Sequence, residues 1–201
     1  MSHALTLLLD TATPVLQIGI AAGPELLFAY EAPTTNHRQH SAMLLPQLQT
    51  GLLQVGKRLC DLDRVAVNIG PGSFTGLRTG ITTARTLGQF MPIAVYGFNA
   101  FELQASETPG QPTEVWIDAA RGRSYYAKLM VTSDRIEYRH PPALVNQAPP
   151  PGSLSLKPSL SQMLRLLDFP NLGQTPWQAL LPLYLQEPNI TQRKHQPGKM
   201  K

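Results

Sequence analysis

A chain of 201 residues, 42% of them hydrophobic, can bury one sizeable core or two small lobes. Its single cysteine, Cys60, excludes an intrachain disulfide and any multi-cysteine zinc or iron–sulfur site. The net charge of +4 is supplied entirely by Arg193, Lys194, Lys199 and Lys201, so the body of the chain is neutral and a generally basic nucleic-acid binder is excluded.

The opening apolar run Leu5 to Leu9 is short enough for a buried strand. Asp10 ends it, and neither a basic leader nor a small-residue cleavage site accompanies it, so no secretory signal is expected. No stretch approaches the roughly 20 apolar residues of a membrane span. The expectation is a cytoplasmic protein without membrane contact. Asp10-Thr11-Ala12-Thr13-Pro14 is turn chemistry, and Val15 to Ala21 resumes as a second strand, giving a hairpin with an aspartate at its mouth.

From Ser41 to Val55 the apolar residues Leu44, Leu45, Leu48, Leu52 and Val55 recur at three- and four-residue steps, which predicts a one-faced helix. Pro46 lies in its first turn or kinks it. Cys60 reads as a small buried apolar side chain. Val65 to Ile69 is another buried strand, broken by Gly70-Pro71-Gly72, after which Ser73 or Thr75 caps a helix running to Phe90. A strand follows at Ile93 to Tyr96.

Val115 to Asp118, a turn around Arg121-Gly122, and Tyr125 to Val131 form a second hairpin with an aspartate at its mouth. Asp118 therefore repeats Asp10 roughly a hundred residues later, an orderly hint of duplication. Each aspartate could hold a magnesium-bound water across a cleft or cap its own turn. From Pro141 to Pro158 six prolines crowd eighteen residues, which predicts an irregular connection. Ser159 to Leu167 recovers a helical pattern, and Leu180 to Leu185 leads into the basic residues, which read as a solvated tail able to touch phosphate.

Gly70-Pro71-Gly72-Ser73-Phe74-Thr75-Gly76-Leu77-Arg78-Thr79-Gly80 joins a strand to a helix, where backbone N–H groups converge on a point that could receive an anion. It has no lysine for a G-x4-G-K-[ST] loop, and its G-x-G-x3-G spacing is one residue too long for a dinucleotide fingerprint. Ser73 is not in a G-x-S-x-G elbow. The candidate anion or nucleotide set is Asp10, Gly70, Gly72, Ser73, Thr75 and Asp118. Gly76, Gly80, Ala84 and Gly88 also form a row of small side chains at four-residue intervals, and such a row lets either this chain's own sheet or a partner's helix approach closely.

Asp10-Thr11-Ala12-Thr13, His40-Ser41 followed by Leu44-Leu45-Pro46, and above all the G-P-G-S-F-T-G-L-R-x-G run resemble the TsaB (YeaZ) family. Ile117-Asp118-Ala119-Ala120-Arg121 is similar to the family's I-D-A-R segment with an extra alanine, and Pro182-Leu183-Tyr184-Leu185 to its closing P-x-Y-L. The resemblance covers nearly the whole chain and departs most at Pro141 to Pro158.

It implies an α/β actin-like, hexokinase-like fold of two lobes, 1–97 and a shortened 98–190, with a basic tail at 191–201. It also implies a non-catalytic scaffold for making N6-threonylcarbamoyladenosine at position 37 of tRNAs reading ANN codons. The transferase would be a TsaD-like partner, of which TsaB is a degenerate relative, with a TsaE-like ATPase as third subunit. Threonylcarbamoyl-adenylate, made from ATP, and a metal would belong to the complex and the partner, and this chain would carry no cofactor of its own.

The partner's H-x3-H metal pair has no counterpart among His3, His37, His40, His140 and His195, and Tyr96-Gly97-Phe98-Asn99-Ala100-Phe101, where the pair would fall, contains no histidine. One of His37 and His40 is expected on neighbouring backbone, the other in solvent. Contact with the partner is expected through Leu44, Leu45, Leu48, Leu52, Gly76, Gly80, Ala84 and Gly88, a face that could also pair two copies of the chain. The alternatives are an independent actin-like kinase or ATPase using Asp10, Gly72, Ser73 and Thr75, and a peptidase.

Overall fold

The computed structural model describes residues 3–33, 38–133, 135–151, 160–169 and 173–186. The basic residues 191–201, His37 and the end of the proline-rich segment lie outside them. Strands β1 (Leu5–Asp10), β2 (Val15–Ala22), β3 (Glu25–Pro33), β4 (Arg64–Asn68) and β5 (Ala94–Phe98) form one sheet in the order β3-β2-β1-β4-β5. β1 runs antiparallel to β2 and parallel to β4, which is parallel to β5. This places β1 at the centre with both faces covered, which is why it reads as an unbroken apolar run rather than an alternating one.

Helices α1 (Arg38–Gln54) and α2 (Phe74–Phe90) cover one face of this sheet. Their Leu44, Leu48, Leu52, Leu77, Ile81, Ala84 and Leu87 interdigitate with Leu7, Leu9, Ile18, Ile20, Val65 and Val67. The inward apolar positions at three- and four-residue steps are what made both helices legible. Pro46 sits mid-helix on the solvent side of α1, where the carbonyl of Ala42 that loses its donor can bond water.

On the other face Leu8, Ala21, Ala66 and Tyr96 pack against a second core. It is built from helix α3 (Ala100–Ala105), the antiparallel sheet β6 (Pro112–Asp118), β7 (Ser124–Val131), β8 (Ile136–Val145), and helix α4 (Leu160–Leu167). Residues 173–186 then return to the first sheet as a strap. The Thr175 N–H donates to the Val95 carbonyl at 2.8 Å, the Leu183 N–H donates to the Ile69 carbonyl at 2.8 Å, and Leu180 is buried over Gly97.

Three elements escape the sequence reading. β3 is an edge strand packed on the first core by Phe28 and Tyr30. α3 is a single short helix marked by an N-x-x-E capping box, Asn99 to Glu102. β8 corrects the reading of Pro141 to Pro158 as wholly irregular, because Pro141 and Pro142 lie inside a strand. They are tolerated there because β8 is the edge of its sheet and its register slips between His140 and Ala143, opposite Tyr126 to Lys128. Cys60 is likewise corrected: it is exposed, on a single 3-10 turn at Leu59–Asp61 that leaves no core around it.

Candidate functional site

The turn that closes the first hairpin is seated on the glycine loop. The Ser73 N–H donates to the Ala12 carbonyl at 2.9 Å, and the Thr11 hydroxyl donates to the Gly76 carbonyl at 2.7 Å. A side chain at Gly72 or Gly76 would collide with the carbonyl oxygens of Ala12 and Thr11, and one at Gly80 with the Thr11 hydroxyl. Glycine is therefore required on this side of α2 by close approach of the chain's own turn. His40 completes the contact, its Nδ1 lying 3.2 Å from the Thr11 carbonyl oxygen. The imidazole does bond backbone, but backbone 29 residues away rather than next to it.

Asp10 is wholly buried in this joint. Its Oδ1 accepts from the Ala12 N–H at 2.9 Å and the Thr13 N–H at 3.4 Å, an Asx turn, while Oδ2 accepts from the Asn68 amide at 3.0 Å. Asn68 in turn accepts from the Gly70 N–H at 2.8 Å, tying the aspartate to the loop. Burial without a charged partner raises the Asp10 carboxyl to about 6, against the lowering effect of the Asn68 and backbone donors.

Asp10, Gly70, Gly72 and Ser73 are thus brought together, and Thr75 is exposed one residue into α2. Two of the loop's N–H donors, those of Ser73 and Gly76, are turned to internal use. The Ala12 carbonyl takes the Ser73 N–H, the Ser73 hydroxyl takes the Gly76 N–H at 3.2 Å as the helix cap, and the Asp10 carboxylate takes those of the turn. An anion seated there would meet the buried Asp10 and the Ala12 carbonyl. Asp118 stands apart, exposed at the end of β6, where its Oδ1 accepts from the Ala120 N–H at 2.8 Å. Among the described residues no three His, Cys, Asp or Glu side chains gather as metal ligands.

The residues expected to face a partner divide differently from the sequence reading. Leu44, Leu48, Leu52 and Ala84 are core; Gly76 and Gly80 face Thr11; Gly88 faces Val95 and Trp177 of the strap. Of the two readings of the small-residue row, the contacts within the chain are those with its own turn, sheet and strap. Leu45 alone of the eight is widely exposed, at 61%. With Leu53 on the outer face of α1 and Leu59 on the 3-10 turn that follows it, exposed to 72% and 42%, it forms an exposed apolar patch. A groove of about 340 Å³ runs beneath this patch, with Lys57 and Arg58 at its end. A second hollow of about 400 Å³ lies between α1 and α2, lined by Ser41, Leu45, Arg78, Thr79, Thr82 and Thr83. The sequence showed the stripe but not which of its sides the chain would use for itself.

A stack not anticipated from the sequence adjoins the glycine loop: the rings of Phe74 and Tyr184 lie 5.2 Å apart, and the Arg78 guanidinium lies 4.0 Å from the Phe74 centroid. Phe74 and Arg78, one helical turn apart, were a legible pair. Tyr184, more than a hundred residues on, was not.

A family model described as "TsaD: tRNA N6-adenosine threonylcarbamoyltransferase" matches residues 31–149, more than half of the chain. The TsaB of Bacillus subtilis, named a tRNA threonylcarbamoyladenosine biosynthesis protein, is 29% identical over 83% of this chain and 68% of its own. An uncharacterized protein of Mycobacterium tuberculosis strain H37Rv is 32% identical, covering 91% of this chain and 92% of that one. The chain belongs to the TsaB (YeaZ) family. The solved YeaZ of Pseudomonas aeruginosa, 20% identical, superposes with a TM-score of 0.75 over 90% of this chain and all of that one. The fold is accordingly the actin-like α/β fold, the meander β3-β2-β1 of this chain being extended by two parallel strands.

Proposed function

We propose that this chain is a non-catalytic subunit of the machinery that forms N6-threonylcarbamoyladenosine at position 37 of tRNA. It pairs with a TsaD-like transferase and serves a complex completed by a TsaE-like ATPase. The reading is supported by relatives named for this biosynthesis. The observation that carries it is the pairing of an internally filled glycine loop with an uncovered apolar face on α1. Leu45, Leu53 and Leu59 are too large and too exposed to be explained by the core, and a contiguous apolar patch with a polar rim is what a protein partner covers. The phosphate-type loop, by contrast, is used as a joint.

The chemistry then belongs to the partner, together with the adenylate and the metal. This chain contributes shape: α1 and α2, fixed to the sheet by the Asp10 joint, present a rigid docking face. Reconstituted transfer to unmodified tRNA from threonylcarbamoyl-adenylate tests this. The TsaD-like subunit with this chain is expected to modify tRNA, this chain alone is not, and Leu45→Asp with Leu53→Asp is expected to abolish the stimulation. Modification by this chain alone would overturn the proposal.

A further inference from the structure

The hollow of about 400 Å³ between α1 and α2 is apolar on one side and polar on the other. Leu44 and Leu45 of α1 form the apolar wall, and Arg78 and three threonines of α2 the polar one. Two of these threonines spend their protons inside the helix: the Thr79 hydroxyl donates to the Thr75 carbonyl at 3.0 Å, and that of Thr83 to the Thr79 carbonyl at 2.9 Å. The side chains of Arg78 and Thr82, one helical turn apart and both exposed, make no hydrogen bond among the described residues. They are the uncommitted donors of the hollow.

Arg78 is also held in place and left without an acid. Its guanidinium lies 4.0 Å from the centroid of Phe74, which is itself stacked on Tyr184 at 5.2 Å. The described ion pairs all lie elsewhere, at Arg58–Asp61, Lys128–Glu114, Arg135–Glu137 and Arg165–Glu107. Neither helix can supply a carboxylate, because α1 and α2, 17 residues each, contain no Asp or Glu, while α2 carries Arg78 and Arg85. The hollow therefore sits in a pair of helices whose charge is of one sign.

We propose that the protein partner sets a carboxylate side chain on Arg78, bidentate to the guanidinium and within reach of the Thr82 hydroxyl, with its methylene stem against Leu45. A guanidinium fork matches a carboxylate, and one already fixed on an aromatic face loses little freedom in gripping it. The inference rests on the subunit role proposed above and adds the chemistry that the partner must bring to this point.

Biolayer interferometry of the full chain against the TsaD-like subunit tests it. The unaltered chain is expected to bind, and to bind more weakly as salt rises. Arg78→Gln is expected to lower affinity about tenfold and to flatten the salt dependence. Arg78→Lys keeps the charge but loses the fork, and is expected to cost about threefold with the salt dependence retained. Arg78→Glu sets like charges together and is expected to cost about a hundredfold. Leu45→Ala is expected to weaken binding without changing the salt dependence, which separates lost charge from lost apolar area. Arg78 is exposed, so the melting temperatures of its variants are expected to match that of the unaltered chain. Equal affinity and salt dependence of Arg78→Gln and the unaltered chain would overturn the inference and leave the subunit role standing. Saturable binding of inorganic phosphate by the isolated chain, lost in Arg78→Gln while partner affinity is kept, would overturn it in favour of a free anion. No binding by the unaltered chain would overturn both the inference and the subunit role.

Discussion

The two hairpins start from the same chemistry and end in opposite circumstances. Each closes an apolar strand with an aspartate that caps its own turn, Asp10 to Ala12 and Asp118 to Ala120, at 2.9 and 2.8 Å. The first turn is driven into the start of α2 and buried; the second projects into solvent with Ala120 and Arg121 both at positive φ. What separates them is the surface each meets. Gly72 in the loop and Gly76 on α2 admit the first turn to backbone contact, Gly80 makes room for the Thr11 hydroxyl, and among the described residues nothing comparable receives the second. The difference teaches that an Asp-turn hairpin is a local unit whose setting is decided by its neighbour, and here the neighbour seats the first turn as a structural joint.

The contrast should be broken most severely at the glycines. Gly76→Ala places a methyl group against the Thr11 carbonyl, backbone against backbone, and is expected to cost about 3 kcal/mol or more in urea denaturation. Gly122→Ala at the tip of the second hairpin meets open space and is expected to cost only about 1 kcal/mol, for its φ of 71°. Equal costs would mean that the first turn is not seated as described.

The next effect is one of pH. Because burial raises the folded-state carboxyl of Asp10 to about 6 from an ordinary 3.8, the folded protein holds a proton that the unfolded chain has released. Stability from this group is full below about pH 4 and is lost as pH rises through 6. Its size is of the order of 2–3 kcal/mol. Denaturation midpoints followed from pH 7 down to 4 should show the unaltered chain gaining on Asp10→Asn, whose side chain does not titrate. A parallel course for the two would show that Asp10 is not desolvated.

Removing the caps gives a smaller and more graded comparison. Asp10→Ala leaves the Ala12 N–H and the Asn68 amide without acceptors in a buried place and is expected to cost about 2 kcal/mol. Asp118→Ala exposes the Ala120 N–H to water and is expected to cost about 0.5 kcal/mol in the same assay.

Both hairpins, the glycine loop and the paired helices were legible because apolar runs, helical spacing and turn residues are local signals. β1 announced itself by being apolar on both faces, and α2 by Ser73 and its row of small residues. The direction of that row was not legible. Whether glycines 76 and 80 meet a partner or Thr11 depends on a contact 65 residues away that no periodicity encodes. β8 was hidden for a related reason, since Pro141 and Pro142 argue against a strand unless it is known to be an edge with a slipped register. The Asx cap at Asp10 was legible. Its burial, and hence its raised pKa, came only from the docking of the turn.

The exposed Leu45, Leu53 and Leu59 and the Phe74–Tyr184 stack are the surface features that adjoin this joint's two helices. The claim beneath both is that the glycine loop is already occupied by the chain itself. Calorimetric titration of the isolated protein with Mg-ATP tests that claim most directly. No saturable heat is expected; micromolar binding that Asp10→Ala abolishes would contradict it and restore the loop as a nucleotide site.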